Sequence, residues 1–180
     1  MQHQTYIFFG KSGSGKGTQA ELLRERLESQ GAKVVYIETG ERFRSFMGGD
    51  SYTALKTRDV IEAGGLMPVF MPIWLWTNEL VHRYSGYETL ILDGLCRRLD
   101  EAPVLDSALK FYGIEKAHIL YINVSNEWAT ARLQGRGRTD DSGDYIASRL
   151  AWFDRDVFPV LDYFRDRNRY SSMKSMESRM

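Results

Sequence analysis

The sequence predicts an α/β fold: a three-layer P-loop fold with a central parallel sheet of at least four strands and helices on both faces. Strand-like apolar runs alternate with helical patterns along the chain, which is typical of βαβ units. The first apolar run leads into a glycine-rich segment, residues 10–18, that matches the P-loop pattern G-x-x-x-x-G-K. A helical pattern follows, so the strand–loop–helix context of a P-loop is complete.

The glycine-rich segment contains the candidate phosphate-binding residues. Glycine has no Cβ, so the backbone can wrap around an anion with successive N–H groups directed inward. The following helix adds its unpaired N-terminal N–H groups and the positive end of its dipole. A loop that merely turns the chain is the alternative. The predicted phosphate-binding residues are Gly13, Ser14, Gly15, Lys16, Gly17 and Thr18.

The residue after the P-loop lysine indicates how a metal ion is held. A general P-loop has Ser or Thr there as a magnesium ligand, whereas this chain has Gly17, with Thr18 one position later. A magnesium ion is therefore expected to be held through water and carboxylates. Asp93 ends an apolar strand and is the candidate metal residue, acting through water. The alternative is that Asp93 caps a turn with Gly94.

Hydrophobic periodicity places the elements in order. Strands are predicted at residues 5–9, 34–37, 89–92 and 117–122. Helices are predicted at 19–30, 41–84 (broken at 48–50 and 64–65), 127–133 and 141–164. Residues 169–180 contain no convincing strand, and a frayed tail fits them at least as well. The helical block before the third strand is expected to form a subdomain that closes over a substrate.

Composition limits the class of protein. A chain of 180 residues fits a single domain, and 24 basic against 24 acidic residues favour neither nucleic acid nor an anionic membrane as partner. The apolar stretch 66–76 is too short to span a bilayer and contains two prolines. The polar start does not match a signal peptide, and Cys96, the only cysteine, suits a reducing compartment. These features predict a cytoplasmic protein.

Four arginines follow the fourth predicted strand. Arg132, Arg136 and Arg138 lie along the end of a predicted helix and its loop, and Arg149 lies on the next helix. The planar guanidinium matches phosphate oxygens two at a time, and phosphoryl transfer depends on positioning and charge neutralisation. Arginines at this spacing are therefore candidate catalytic residues. The alternative is a solvated helix face.

Several segments together resemble adenylate kinases and their relatives, the nucleoside monophosphate kinases with a short lid. The similarity spans roughly residues 5–165 in the family's order. It rests on the following segments: Gly17-Thr18-Gln19, Thr39-Gly40 with Arg44, Gly64-Gly65-Leu66-Met67-Pro68, Asp93-Gly94-Leu95-Cys96-Arg97, and Arg138-Thr139-Asp140-Asp141 with Arg149-Leu150.

The resemblance implies an enzyme that transfers the γ-phosphoryl of magnesium-ATP to the phosphate of a nucleoside monophosphate, AMP first. It implies one domain over residues 1–180, with an acceptor-binding helical subdomain at about 40–84 and a lid at about 136–141, acting as a monomer. It further implies that Arg132 stacks on the donor base and that Asp140 and Asp141 orient lid and ion. The implied catalytic residues are Lys16, Arg97, Arg136, Arg138 and Arg149, and the implied acceptor-binding residues are Thr39, Gly40, Arg44, Met67, Gly94, Arg97 and Glu101.

Departures from the family pattern leave alternatives open. Glu101 stands where adenylate kinases carry a glutamine that reads adenine, and an ionised glutamate only accepts hydrogen bonds. The acceptor can therefore be CMP, UMP or GMP instead of AMP. The short lid and the absence of a convincing fifth strand also allow a nucleotide-binding protein that does not catalyse. A general P-loop GTPase is disfavoured, because no guanine-reading Asn-Lys-x-Asp segment is present.

Overall fold

The computed structural model of the chain describes residues 4–63, 65–136, 143–167 and 170–177. Gly64, Arg138, Thr139, Asp140 and Asp141, which carry part of the predicted lid and acceptor loop, lie outside the described residues. The strands are β1 (Thr5–Gly10), β2 (Val34–Glu38), β3 (Thr89–Asp93), β4 (Ala117–Asn123) and β5 (Tyr170–Glu177). The helices are α1 (Lys16–Ser29), α2 (Thr39–Met47), α3 (Tyr52–Glu62), α4 (Phe70–Arg83), α5 (Glu101–Phe111), α6 (Asn126–Arg136), α7 (Gly143–Trp152) and α8 (Phe158–Arg165).

The five strands form one parallel sheet in the order β2-β3-β1-β4-β5. The connection from β1 to β2 runs over one face of the sheet. The connection from β3 to β4 runs over the opposite face. The crevice between β1 and β3 is therefore a topological switch point, where α/β sheets bind ligands. Gly10 and Asp93 end the two strands that border it.

Strand alternation builds a core on each face of the sheet. Ile7 and Phe9 of β1 pack in one cluster with residues of α4, α5 and α8, whereas Phe8 packs in another with Ala20 of α1. Each large apolar side chain buried in this way contributes about 1.5–3 kcal/mol. The predicted α/β architecture with helices on both faces is confirmed.

Helix boundaries differ from the sequence prediction in three places. Helix α1 begins at Lys16 instead of residue 19, so the P-loop lysine itself lies in the first turn. Helix α5, Glu101–Phe111, was not predicted, although β3 and β4 are parallel and need a crossover. The predicted helix 141–164 is divided by a π-helical segment, Phe153–Val157, between α7 and α8. Such segments are frequent at functional sites.

A fifth strand is present, which the sequence left undecided against a frayed tail. Strand β5 pairs in parallel with β4 at the edge of the sheet. Tyr170 at its start is buried, packs against Phe164 with ring centroids 4.6 Å apart, and donates a hydrogen bond to Asp106 Oδ1 at 3.0 Å. The sequence of this segment is rich in polar residues, which an edge strand tolerates.

The burial of the tryptophans differs along the chain. Trp76 and Trp152 are buried, whereas Trp74 is 47% exposed. Within the described residues, no helix has the length and apolar character that a membrane span needs.

Candidate functional site

A cavity of about 910 Å³ opens at the carboxyl edge of the sheet. It runs from the P-loop after β1 to helices α2–α4. Because parallel strands end at this edge, the loops that follow β1, β2 and β3 meet around it. Every predicted site residue that the structure describes lines it: Gly13, Ser14, Gly15, Lys16, Gly17, Thr18, Thr39, Gly40, Arg44, Met67, Asp93, Gly94, Arg97, Glu101, Arg132, Arg136 and Arg149.

The P-loop requires glycine at two positions for different reasons. Gly15 is the N-cap of α1 with φ 86°, a left-handed conformation that side chains rarely adopt. Gly13 also has a positive φ, and a Cβ there would lie 2.6 Å from the Ala129 carbonyl oxygen on α6. The first turn of α1 contains no acidic residue. No anionic side chain of that turn therefore neutralises the positive end of the helix dipole.

Lys16 and Asp93 form an ion pair across the switch-point crevice. Lys16 Nζ lies 3.0 Å from Asp93 Oδ1, and the Asp93 side chain is 1% exposed. On the other side Tyr36 of β2 donates its hydroxyl hydrogen to Asp93 Oδ2 at 3.0 Å. Burial and the neighbouring carboxylates of Asp93 and Glu38 raise the pKa of Tyr36, so the phenol remains a donor. A buried carboxylate is thereby fixed beside the P-loop.

The Asp93 carboxylate fits a water-mediated contact with magnesium. Oδ1 is buried and pairs electrostatically with Lys16, yet it receives no aligned hydrogen bond, so it keeps capacity to accept from water. A Cβ at position 17 would lie 3.4 Å from Asp93 Oδ2. The absence of a side chain at Gly17 therefore allows the Asp93 carboxylate to lie close to α1. Carboxylate oxygens and waters are the ligands that magnesium prefers.

Two arginines lie close together in the same cavity. Arg44 of α2 lies 3.4 Å from Glu38 Oε1, and Arg97 donates from Nε to the Gly94 carbonyl oxygen at 3.0 Å. Glycine at position 40 leaves space between them, since a Cβ there would lie 3.4 Å from Arg44 Nη1 and 3.9 Å from Arg97 Nη2. The geometry suits a forked clamp for an anionic group.

The Gly94 carbonyl oxygen connects the residues that follow β2 with those that follow β3. It accepts a second hydrogen bond from Thr39 Oγ1 at 2.8 Å, in addition to the Arg97 bond. Burial lowers the pKa of the Arg97 guanidinium, while Glu101, Asp93 and Glu38 raise it. Arginine stays charged at neutral pH.

Met67 lies at the apolar end of the cavity. It packs against the cluster formed by Phe43 of α2 with Met71 and Leu75 of α4. Phe43 and Met67 both line the cavity. This part of the cavity therefore has the apolar character that suits a planar base.

Glu101 is a buried charged residue of the cavity, next to Arg97. It is 2% exposed, and its Oε1 accepts from the backbone N–H of Arg97 at 3.0 Å and of Arg98 at 3.1 Å. Burial raises the pKa of Glu101, although Arg97 and the backbone N–H groups oppose the shift. The adjacent Cys96 is buried with φ 53°, and burial raises the pKa of its thiol. Cys96 is thus a packing residue.

Helix α6 lies beside the P-loop. Arg132 lies over the Trp128 ring, 4.9 Å from its centroid, and Trp128 is within 4.0 Å of the Cβ position of Gly15. Lys11 donates to Asn126 Oδ1 at 2.6 Å and pairs with Asp154 Oδ1 at 3.2 Å. The P-loop is thereby attached to the start of α6 and to the π-helical segment.

Sequence reasoning missed several residues of this cavity. Lys11, Tyr36 and Glu38 line it, and none was a candidate. Glu38 ends β2, and its position at the carboxyl edge could have indicated a site residue. Tyr36 could be found only once β2 is known to pair with β3, and Lys11 only once α6 is known to touch the P-loop.

The phosphate-binding loop, its buried ion pair and the surrounding arginines define a P-loop phosphotransferase. Comparison with known proteins gives the family. The adenylate kinase family model matches residues 8–169. Adenylate kinase of Mycolicibacterium paratuberculosis is 35% identical over 89% of this chain and 86% of its own length. Adenylate kinase 1 of Nostoc sp. is 30% identical over 96% and 90% respectively. The chain belongs to the adenylate kinase family.

Proposed function

We propose that this chain transfers the γ-phosphoryl group of magnesium-ATP to AMP and yields two molecules of ADP. The supporting observation is that two cationic sets line one cavity: the P-loop with Lys16, and Arg44 with Arg97. A donor triphosphate and an acceptor monophosphate can then meet between them. The names of the relatives, all adenylate kinases, support AMP as the acceptor.

The proposed reaction is a direct, in-line displacement. An oxygen of the acceptor phosphate forms a bond to the γ-phosphorus as the bond from that phosphorus to the β,γ-bridging oxygen breaks, and ADP leaves. The attacking oxygen is already anionic, so no general base is needed. Catalysis then consists of positioning and charge neutralisation, and a magnesium ion held by Asp93 through water would supply further positive charge.

Each predicted side chain has a task in this proposal. The N–H groups of the P-loop hold the donor phosphates, and Lys16 follows the transferring group. Arg44 and Arg97 clamp the acceptor phosphate, while Arg136 and Arg149, together with Arg138, neutralise charge at the transfer point. Asp93 holds magnesium through water. Thr39, Gly40, Met67, Gly94 and Glu101 form the acceptor pocket, and Arg132 stacks on the donor base.

The proposal extends to the organisation of the chain. Helices α2–α4 correspond to the acceptor-binding subdomain, and residues 136–141 to the short lid. We further propose a monomeric cytoplasmic enzyme, consistent with a single reduced thiol, Cys96. Size-exclusion chromatography with light scattering tests the monomer.

The direct experiment is an acceptor panel. ADP formation is measured from magnesium-ATP with AMP, GMP, CMP and UMP in turn. AMP should give the highest kcat/KM. The same chemistry on another monophosphate is the second candidate, because Glu101 differs in hydrogen bonding from the family glutamine. Tight ATP binding without turnover of any acceptor would instead indicate a non-catalytic nucleotide-binding protein, although β5 removes one of the two reasons for that alternative.

A further inference from the structure

The ammonium group of Lys11 attaches the P-loop to two other elements. The side chain is 10% exposed, its Nζ donates to Asn126 Oδ1 at 2.6 Å, and the same nitrogen lies 3.2 Å from Asp154 Oδ1. Asn126 is the first residue of α6, and Asp154 lies in the π-helical segment that continues α7. A single side chain therefore joins the loop after β1 to α6 and to the continuation of α7.

The two charges of this contact depend on each other to different degrees. A buried ammonium is costly unless it is paired, and Lys11 has one carboxylate and one amide oxygen as partners. Within the described residues Asp154 Oδ1 is buried and receives no aligned hydrogen bond, so Lys11 is the cation that neutralises it. The Asp154 side chain as a whole is 43% exposed and keeps contact with water. Lys11 therefore needs Asp154 more than Asp154 needs Lys11.

The main chain of Lys11 closes the first turn of the P-loop. Its carbonyl oxygen accepts from the Ser14 N–H at 3.0 Å. Inside this turn, a Cβ on Gly13 would lie 2.6 Å from the Ala129 carbonyl oxygen and 2.9 Å from Leu133 Cγ. The turn thus packs directly on α6, and both the main chain and the side chain of Lys11 fix its position there.

Helices α6 and α7 carry arginines that the proposed function assigns to the transfer point. Arg136 ends α6, Arg149 lies on α7, and both line the cavity together with the P-loop. One apolar cluster, which includes Leu133 and Leu150, packs the two helices together. A shift of the P-loop relative to them would change the distance between phosphates held in the loop and both guanidinium groups. Misplacement by about 1 Å can lower turnover about 10²-fold.

We propose that Lys11 is a positioning residue, whose links to α6 and to Asp154 hold the P-loop in place relative to the arginines of α6 and α7 during phosphoryl transfer. This inference rests on the proposed function. A second role for a P-loop lysine is direct phosphate binding, as for Lys16. The two roles predict opposite effects at Asp154: a phosphate-binding lysine gains when a competing carboxylate is removed, whereas a positioning lysine loses its anchor.

Lys11→Met, Asp154→Ala and the double variant form a double-mutant cycle. Methionine keeps an unbranched apolar chain without the charge, and alanine favours the helix while it removes the carboxylate. Arg155→Met is the control. Arg155 lies in the same π-helical segment, is 73% exposed, pairs with its neighbour Asp156 and does not line the cavity.

Steady-state kinetics with ATP and AMP give kcat and both KM values for each protein. Lys11→Met should lower kcat about 10-fold and Asp154→Ala about 3- to 10-fold, because the reacting groups are misplaced. Each KM should stay within about threefold of wild type, since the N–H groups of the P-loop still hold the donor. The double variant should be no slower than Lys11→Met, because both changes break the same link. Arg155→Met should stay within about twofold of wild type.

Urea unfolding of the same variants separates positioning from stability. Lower unfolding free energies with an unchanged kcat would overturn the inference, since Lys11 would then be merely structural. Wild-type or higher kcat in Asp154→Ala, or independent losses that multiply in the double variant, would overturn it too. Should Lys11→Met fail to fold, the partly exposed Asp154→Ala still decides between anchor and competitor. A wild type that phosphorylates no monophosphate would overturn the proposed function, and this inference with it.

Discussion

Single residues at the carboxyl edge of the sheet determine what the cavity can bind. The Lys16–Asp93 pair and the Tyr36 hydroxyl form a connected group in which a 1%-exposed carboxylate is stabilised by a cation and a phenol. A buried charge without such partners is costly. The Asp93 carboxylate is therefore held in place by the protein's own side chains, which is the condition for electrostatic preorganisation.

Arg44 should contribute to acceptor binding more than to turnover. Arg44→Met removes one arm of the clamp opposite Arg97, and a hydrogen bond to a charged group contributes about 1.5–3 kcal/mol. The KM for AMP should rise about 10- to 100-fold with a smaller change in kcat. The measurement is steady-state kinetics with AMP varied at saturating ATP.

Arg42→Met is the matched control for this prediction. Arg42 lies on the same helix but pairs with Glu79 at 2.7 Å and does not line the cavity. Its KM for AMP should remain within about twofold of wild type, since exposed ion pairs contribute about 0–1 kcal/mol. An equal KM increase in both variants would show that Arg44 acts through the stability of α2 and not through the acceptor.

The residues that sequence could identify are those whose chemistry depends on local order. The P-loop and Asp93 follow from their position directly after apolar strands. Tyr36 and Lys11 could not be identified, because their roles depend on the pairing of β2 with β3 and on the contact of α6 with the P-loop. Glu101 was identified by position alone, and its hydrogen bonds to two backbone N–H groups required the structure.

At the scale of elements, β5 forms one edge of the sheet. It pairs with β4 and attaches to α5 and α8 through Tyr170, whose hydroxyl bonds Asp106 and whose ring packs on Phe164. Asp106 also pairs with Lys110 at 3.0 Å. The polar residues of this strand do not alternate with apolar ones clearly enough for the strand to be predicted from the sequence. Helix α5 was not predicted either, although the parallel strands β3 and β4 need a crossover.

Removing the Tyr170 ring should destabilise the protein strongly. Tyr170→Ala deletes a buried aromatic ring, and such substitutions cost about 3–5 kcal/mol. Tyr170→Phe keeps the ring but removes the hydroxyl that bonds Asp106, and should cost about 1 kcal/mol. Both values are measured by urea unfolding followed by circular dichroism.

Phe111→Ala serves as the reference for that series. Phe111 is 82% exposed, so its truncation should change the unfolding free energy by no more than about 0.5 kcal/mol. If Tyr170→Ala costs as little as Phe111→Ala, then β5 does not contribute to the cooperative core.

For the molecule as a whole, Cys96 reports on opening of the core. It is the only cysteine and is 0% exposed, and burial raises its pKa, so the reactive thiolate is disfavoured in the folded state. Modification by a thiol reagent at pH 8 should therefore occur only when the structure opens. Labelling should be about 10³-fold slower or more than for the unfolded chain, given ordinary domain stability.

Nucleotides should slow this labelling further. Ligand bound only to the folded state adds RT ln(1 + [L]/Kd), about 2.7 kcal/mol at a hundredfold excess over Kd. Magnesium-ATP with AMP should thus lower the labelling rate about 100-fold. The rate is measured from the thiolate that the reagent releases when it reacts with Cys96. Fast labelling that nucleotides leave unchanged would show that Cys96 is accessible in the folded protein.

The measurement that tests the central claim most directly follows the γ-phosphoryl group itself. ATP labelled at the γ-phosphate is mixed with unlabelled AMP and magnesium, and the label should appear in the β-phosphate of ADP with little in inorganic phosphate. Lys16→Ala should reduce this transfer about 10²- to 10³-fold, as removal of a preorganised charge does, while Lys56→Ala, at an exposed lysine, should not. Label released only as inorganic phosphate, or transfer that is unchanged in Lys16→Ala, would contradict the account.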